Sequence, residues 1–130
     1  MLEPFIQQLS KEMELEGSLA TQVGGVYALP LEENLAVTIT DKPPGFSLSC
    51  VLCPLPKKNE EAYFTRIMLG NLFGQGTKGA VLGVNSEGNL LTLSQTIDYN
   101  INYKDFRDIL EDFVNSVDYW RGEMQKYEAA

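Results

Sequence analysis

The chain has 130 residues, of which 44% are hydrophobic, and this composition favours one globular domain over residues 1–130 rather than a disordered polymer. Eighteen acidic residues against ten basic ones give a net charge of −8, so nucleic acid and anionic membranes are poor partners for its surface. The sequence has no histidine, the commonest general base and metal ligand, so we expect no catalytic centre, metal or cofactor.

Residues 2–16 predict a short helix, because Phe5, Leu9 and Met13 recur every four residues. This N-terminus is acidic and amphipathic, unlike a cleaved signal peptide. No apolar run in the chain approaches the ~20 residues of a membrane-spanning helix. We therefore expect a cytoplasmic protein that does not enter a membrane.

Three strand-like stretches follow, of which the second and third alternate apolar and polar residues, and together they predict a three-stranded antiparallel meander. The stretches span residues 26–30, 34–40 and 46–53. In the second stretch Leu35, Val37 and Ile39 point one way, while smaller and polar residues point the other. Periodicity alone does not say which face is buried inside the protein and which is held for a partner.

Residues 60–73 predict a second helix, with Asn59 as its N-cap and an acidic first turn that complements the positive end of the helix dipole. Its apolar residues spread over more than one stripe, which is typical of a helix with two neighbours. They are Ala62, Tyr63, Phe64, Ile67, Met68, Leu69, Leu72 and Phe73. In so small a domain the second neighbour can be another copy of the protein, so we expect a dimer.

Residues 80–97 predict a β-hairpin, and its second strand places Leu91, Leu93 and Ile97 on one face. The last helix, capped by Asn102, carries the cleanest amphipathic pattern in the chain. Its apolar residues are Phe106, Ile109, Leu110, Phe113, Val117, Trp120 and Met124. The order helix, three strands, helix, two strands, helix predicts a single α+β domain with a twisted antiparallel sheet packed against helices.

Two motifs that often carry chemistry have simpler structural explanations. Residues 74–79 fit G-x-G-x-x-G, but a helix precedes them and a strand follows, which reverses the order that a dinucleotide fingerprint requires. Cys50 and Cys53 form a lone C-x-x-C within a predicted strand, where residues three apart face opposite sides. No second cysteine pair or histidine completes a zinc site, so we interpret both cysteines as packing residues.

The element order, the size and the acidic balance resemble the Tir chaperone (CesT) family, the class I chaperones of type III secretion. The residues that carry this resemblance begin in the hairpin and continue through the last helix. They are Leu82-Gly83-Val84, the turn at Gly88-Asn89, Leu90-Leu91-Thr92-Leu93, Phe106, Ile109-Leu110, Phe113 and Trp120-Arg121. The likeness covers nearly the whole chain as a pattern of residue types rather than an invariant motif.

The resemblance implies a cytoplasmic homodimer, or a heterodimer, that keeps a secreted effector soluble and export-competent without ATP or catalysis. The N-terminal segment of the effector would bind in extended form, partly by strand addition. The implied effector-binding residues are Phe5, Leu9, Val26, Leu35, Val37 and Ile39. The implied dimer interface consists of Phe64, Ile67, Met68 and Leu72. The secretion ATPase is a further partner that the resemblance suggests.

Two other interpretations stay open at the level of sequence. A YbjN-like bacterial protein would share the fold and have another protein-binding role, because fold does not fix function. A small redox enzyme would use Cys50 and Cys53, and it would lose activity on Cys50→Ser. The chaperone interpretation predicts instead a contiguous exposed apolar patch and little effect of that substitution on client binding.

Overall fold

The computed structural model describes residues 3–12, 21–23, 25–32, 35–55, 57, 60–71, 80–85, 87–98 and 100–129. The helices in these residues are α1 (Glu3–Glu12), α2 (Glu60–Asn71) and α3 (Tyr103–Ala129). The strands are β1 (Thr21–Val23), β2 (Val26–Glu32), β3 (Leu35–Lys42), β4 (Gly45–Pro54), β5 (Val81–Val84) and β6 (Leu90–Asp98). Within this described part of the chain, no helix is long and apolar enough to cross a membrane.

All six strands form one antiparallel sheet in the order β1-β2-β3-β4-β6-β5. The predicted meander is β2-β3-β4 and the predicted hairpin is β5-β6, and the two join because β6 pairs with β4 along most of its length. The predicted α+β architecture is confirmed, and β1 is an additional short strand beside β2. The strand order places β2 near one edge of the sheet and β5 at the other.

The register of the sheet decides which face is buried. Directly opposed residues share a face, and the pairs Ile39–Leu48 and Cys50–Leu93 lie on the apolar face that the helices cover. The other face carries small and polar side chains that are half-buried or exposed. They include Thr38, Thr40, Ser47, Ser49, Thr92 and Ser94. The molecule therefore has two layers, with the core between the helices and one face of the sheet.

Helix α3 supplies the largest side chains of that core, as its periodicity predicts. Phe106, Phe113 and Trp120 follow at seven-residue intervals, and each is at most 1% exposed. Burying such side chains contributes roughly 1.5–3 kcal/mol each. The Oδ1 atom of Asn102 accepts a hydrogen bond from the backbone N–H of Asp105 at 2.8 Å, which confirms the predicted N-cap.

Helix α2 packs against the C-terminal half of α3 at a point where a glycine permits close approach. A Cβ atom at Gly70 would lie 2.5 Å from the indole ring of Trp120. On the flank of this contact, the Cζ atom of Arg66 lies 4.5 Å from the Trp120 ring centroid. Arg66 also donates hydrogen bonds to Tyr119 Oη at 2.7 Å and to Glu123 Oε2 at 3.3 Å. These contacts fix the orientation of α2 on α3.

Four predicted features lie outside the described residues. They are Met13 on the first helix, Asn59 as the N-cap of the second, Leu72 in the dimer interface and the glycine motif up to residue 79.

Candidate functional site

An apolar groove opens between α1, β2 and α3, with a cavity volume of about 420 Å³. Its five aliphatic lining residues are Leu9 of α1, Leu29 and Leu31 of β2, and Leu110 and Val114 of α3. Leu31 and Val114 are only half-buried, so part of their aliphatic surface faces solvent. An open aliphatic groove of this size can bury side chains of another polypeptide.

Polar and charged side chains form the rim of the groove. They are Glu12, Arg107, Glu111 and Asn115. Tyr103 Oη donates a hydrogen bond to Glu12 Oε2 at 2.7 Å, and Arg107 Nη1 lies 3.7 Å from the same oxygen. Burial, reinforced by the bond to Glu12, raises the pKa of Tyr103 to about 12, so the hydroxyl remains a donor at neutral pH. This network ties the last turn of α1 to the first turn of α3 beside the groove.

Three of the predicted effector-binding residues lie in the groove or at least partly at the surface. Leu9 lines the groove but is only 4% exposed and belongs to the core as well. Phe5, one turn earlier on α1, is half-buried, and its ring stacks on that of Phe106 with 5.1 Å between centroids. Val26 pairs with Thr40 and is half-buried on the polar face of the sheet, away from the groove.

The other three predicted effector-binding residues, Leu35, Val37 and Ile39, lie in the core, so their assignment to an accessible surface is wrong. Their exposures are 5%, 0% and 0%. The predicted alternation along β3 is confirmed, but its apolar face is the one that the helices cover. A partner cannot reach these side chains without displacing helices from the sheet.

Sequence reasoning missed four of the five aliphatic groove residues. They are Leu29, Leu31, Leu110 and Val114. Leu31 follows Pro30, the predicted end of a strand, whereas β2 continues to Glu32. The available signal on α3 is the width of its apolar face, because Val114, four residues after the core residue Leu110, lies at the edge of the stripe that fills the core.

A second apolar surface lies at the opposite edge of the sheet, where α2 meets β5. Phe64, Met68 and Asn71 follow one stripe of α2, and the Asn71 side chain bonds the backbone of Leu82, so this stripe faces β5. Phe64 is 39% exposed and Met68 is 72% exposed. Val84 lies two residues beyond Leu82 on the same face of the sheet and is 41% exposed. We call Phe64, Met68 and Val84 the α2–β5 surface.

Two of the four predicted interface residues, Phe64 and Met68, therefore lie on an exposed apolar surface. Ile67 is 6% exposed and packs in the core beside Tyr63, so it cannot itself contact a second copy. Leu72 lies outside the described residues. The two-sided apolar pattern of α2 has a simple physical origin, because one side faces the core and the other faces solvent.

Comparison with known protein families identifies the family to which this chain belongs. The model of the Tir chaperone protein (CesT) family matches residues 4–121, a span that includes α1, α2, the whole sheet and most of α3. The chain belongs to this family. A protein of Chlamydia pneumoniae is 31% identical over 126 residues, which are 95% of this chain and 96% of that protein.

Several solved structures share the fold of this Tir chaperone family member at low sequence identity. A chain of the ExsC–ExsE complex matches with a TM-score of 0.78 and 14% identity, over 95% of this chain and 92% of that one. A chain of the HopA1–SchA chaperone–effector complex matches with a TM-score of 0.68 and 17% identity, over 98% of this chain and 93% of that one. A chain of the complex between the Yersinia pestis type III secretion chaperone SycH and a fragment of YscM2 matches with a TM-score of 0.69 and 13% identity, over 90% of this chain and 97% of that one.

The cysteines of this Tir chaperone family member lie in and against the core. Burial raises the pKa of the Cys50 thiol to about 11, and the charge of Arg121 offsets this only in part. An irregularity between Val51 and Cys53 shifts the register, so Cys53 pairs with Leu91 and also packs against the core, contrary to strict alternation. A buried, protonated thiol is a poor nucleophile, so the geometry does not favour the redox interpretation.

Proposed function

We propose that this protein is a class I type III secretion chaperone of the bacterial cytoplasm. It binds the N-terminal region of a secreted effector and keeps that effector soluble and export-competent without ATP. The observation that carries this proposal is the open aliphatic groove between α1, β2 and α3. Membership of the Tir chaperone family supports it over the YbjN-like alternative, as do the chaperone–effector complexes among the solved structures of similar fold.

The proposed mechanism is passive and needs no reactive group. An effector segment in extended form places apolar side chains against the groove, and each side chain removed from water contributes roughly 1.5–3 kcal/mol. Part of that gain offsets the entropy lost when the segment becomes ordered. The segment stays non-globular while its apolar residues are covered, so it remains ready for export.

We further propose that the protein acts as a homodimer that associates through the α2–β5 surface. Exposed apolar side chains at the centre of an interface are the usual source of its affinity. Phe64 and Met68 offer an aromatic ring and a flexible thioether side chain on adjacent turns of one helix. Association with a related but different subunit through the same surface is the alternative.

The effector-binding proposal is tested by measuring the affinity of groove variants. The client is first identified by co-purification from the source bacterium and mass spectrometry, and its N-terminal fragment is then titrated calorimetrically. Leu31→Ser and Val114→Ser should each weaken binding about tenfold or more, because an aliphatic contact is lost. Both side chains are half-buried, so we expect the variants to stay folded.

The matched control is Val51→Ser, which removes an aliphatic side chain that is 51% exposed on the polar face of the sheet. This variant should bind the client fragment as the unchanged protein does. Folded groove variants that bind with undiminished affinity would show that the client lies elsewhere. Equal weakening by all three variants would show a loss of general apolar surface rather than a defined groove.

A further inference from the structure

Strand β5 is an edge strand, since among the described residues it pairs only with β6. In an antiparallel pair, the backbone N–H and C=O of alternate residues point away from the partner strand. Leu82 is such a residue, because both its polar backbone groups are engaged from the side opposite β6. Asn71 Oδ1 accepts a hydrogen bond from Leu82 N–H at 2.8 Å, and Asn71 Nδ2 donates one to Leu82 O at 2.9 Å.

We infer that Asn71 is a cap that closes the β5 edge to strand addition. A primary amide carries the same donor and acceptor as a peptide group, so the Asn71 side chain occupies the position that one residue of an added strand would take. A strand that pairs with Leu82 from outside has to displace this amide. Asn71 is the last residue of α2, and the contact between Gly70 and Trp120 holds that helix end in place.

The sequence of β5 makes such a cap necessary. Edge strands usually carry charged residues or proline, which discourage pairing with another chain. The β5 sequence is Val-Leu-Gly-Val, which has neither, and Val81 and Val84 are 56% and 41% exposed. An uncharged edge with exposed valines still offers unpaired backbone groups to another chain, and at four residues it needs only one blocking contact at its middle. Asn71 fills the backbone positions at its middle and leaves the apolar side chains available.

The cap also determines how a partner can use this side of the molecule. With Leu82 already bonded, a second copy docks on the side chains of Phe64, Met68 and Val84, without continuing the sheet through β5. This inference concerns the edge of the sheet only. It holds whether or not the protein binds an effector in its groove.

The test compares the full-length protein with Asn71→Ala and Asn71→Asp. The Ala variant loses both hydrogen bonds, whereas the Asp variant keeps an acceptor for Leu82 N–H and loses the donor to Leu82 O. Hydrogen exchange of the Leu82 amide should become at least about fivefold faster in Asn71→Ala, with Leu93 as the internal reference. A labelled peptide that copies residues 90–97 should bind Asn71→Ala and not the unchanged protein.

Sedimentation velocity over a wide concentration range supplies the second measurement. Asn71→Ala should form assemblies larger than those of the unchanged protein, and Asn71→Asp should lie between the two. If Asn71→Ala is folded and neither binds the peptide nor forms larger assemblies, Asn71 is only a tie between helix and sheet and the inference is wrong. Should the Ala variant not fold, the same two measurements on Asn71→Asp decide the question.

Discussion

Two neighbouring residues of β3 show that a shift of one position along a strand decides whether a side chain is buried or exposed. Val37 is fully buried under the helices, whereas Thr38, the next residue, is exposed on the polar face of the sheet. Both belong to the same alternating stretch, and the sequence does not distinguish a buried apolar face from one reserved for a partner. The structure distinguishes them, since a helix layer covers only one face.

The prediction at this scale concerns an introduced charge at these two sites. Val37→Asp places a carboxylate in the core with no partner, so it should lower the free energy of unfolding by about 4 kcal/mol or more. Thr38→Asp places the same carboxylate in water and should change the free energy of unfolding by no more than about 0.5 kcal/mol. Urea denaturation followed by circular dichroism measures both. A stable Val37→Asp protein would mean that this position is accessible, as the sequence-based assignment to an effector surface required.

At the scale of elements, much of the fold could be predicted from periodicity, because each helix and strand is a local pattern. The amphipathic stripe of α3, the cap at Asn102 and the β5–β6 hairpin are examples. The groove could not be predicted in the same way. Leu9, Leu31 and Leu110 come from three segments far apart in the sequence, and only the packing of α1 and α3 beside β2 brings them together.

Packing between α2 and α3 gives a prediction in which the same substitution has opposite effects at two glycines. Gly70→Ala places a methyl group against the buried Trp120 ring, so it should destabilise the fold by about 1–3 kcal/mol despite the higher helix propensity of alanine. Gly122→Ala in α3 meets no atom within 4 Å, so it should be neutral or stabilise by up to about 1 kcal/mol. Thermal unfolding compares the two variants directly. Equal effects would show that α2 does not approach α3 closely at Gly70.

For the whole molecule, the strand order separates the two apolar surfaces. The groove adjoins β2 near one edge of the sheet, and the α2–β5 surface lies at the other edge. A second copy bound through β5 and α2 would therefore leave the groove open to a client. In the proposed dimer, two grooves would then lie on the outer sides of one assembly, where a single extended effector segment can contact both in turn.

This separation predicts that dimerisation and client binding are lost through different substitutions. Met68→Asp introduces a charge into the α2–β5 surface, where Met68 is 72% exposed, so it should yield a folded monomer at micromolar concentration in sedimentation equilibrium. Leu69→Asp is the matched control, because Leu69 is 58% exposed on the same helix but points about 100° away. It should remain a dimer. Met68→Asp should still bind the client fragment through the single groove of the monomer, whereas Leu31→Ser should weaken binding and remain dimeric. An unchanged protein that is itself monomeric, or a Met68→Asp variant that stays dimeric, would place any self-association elsewhere on the molecule.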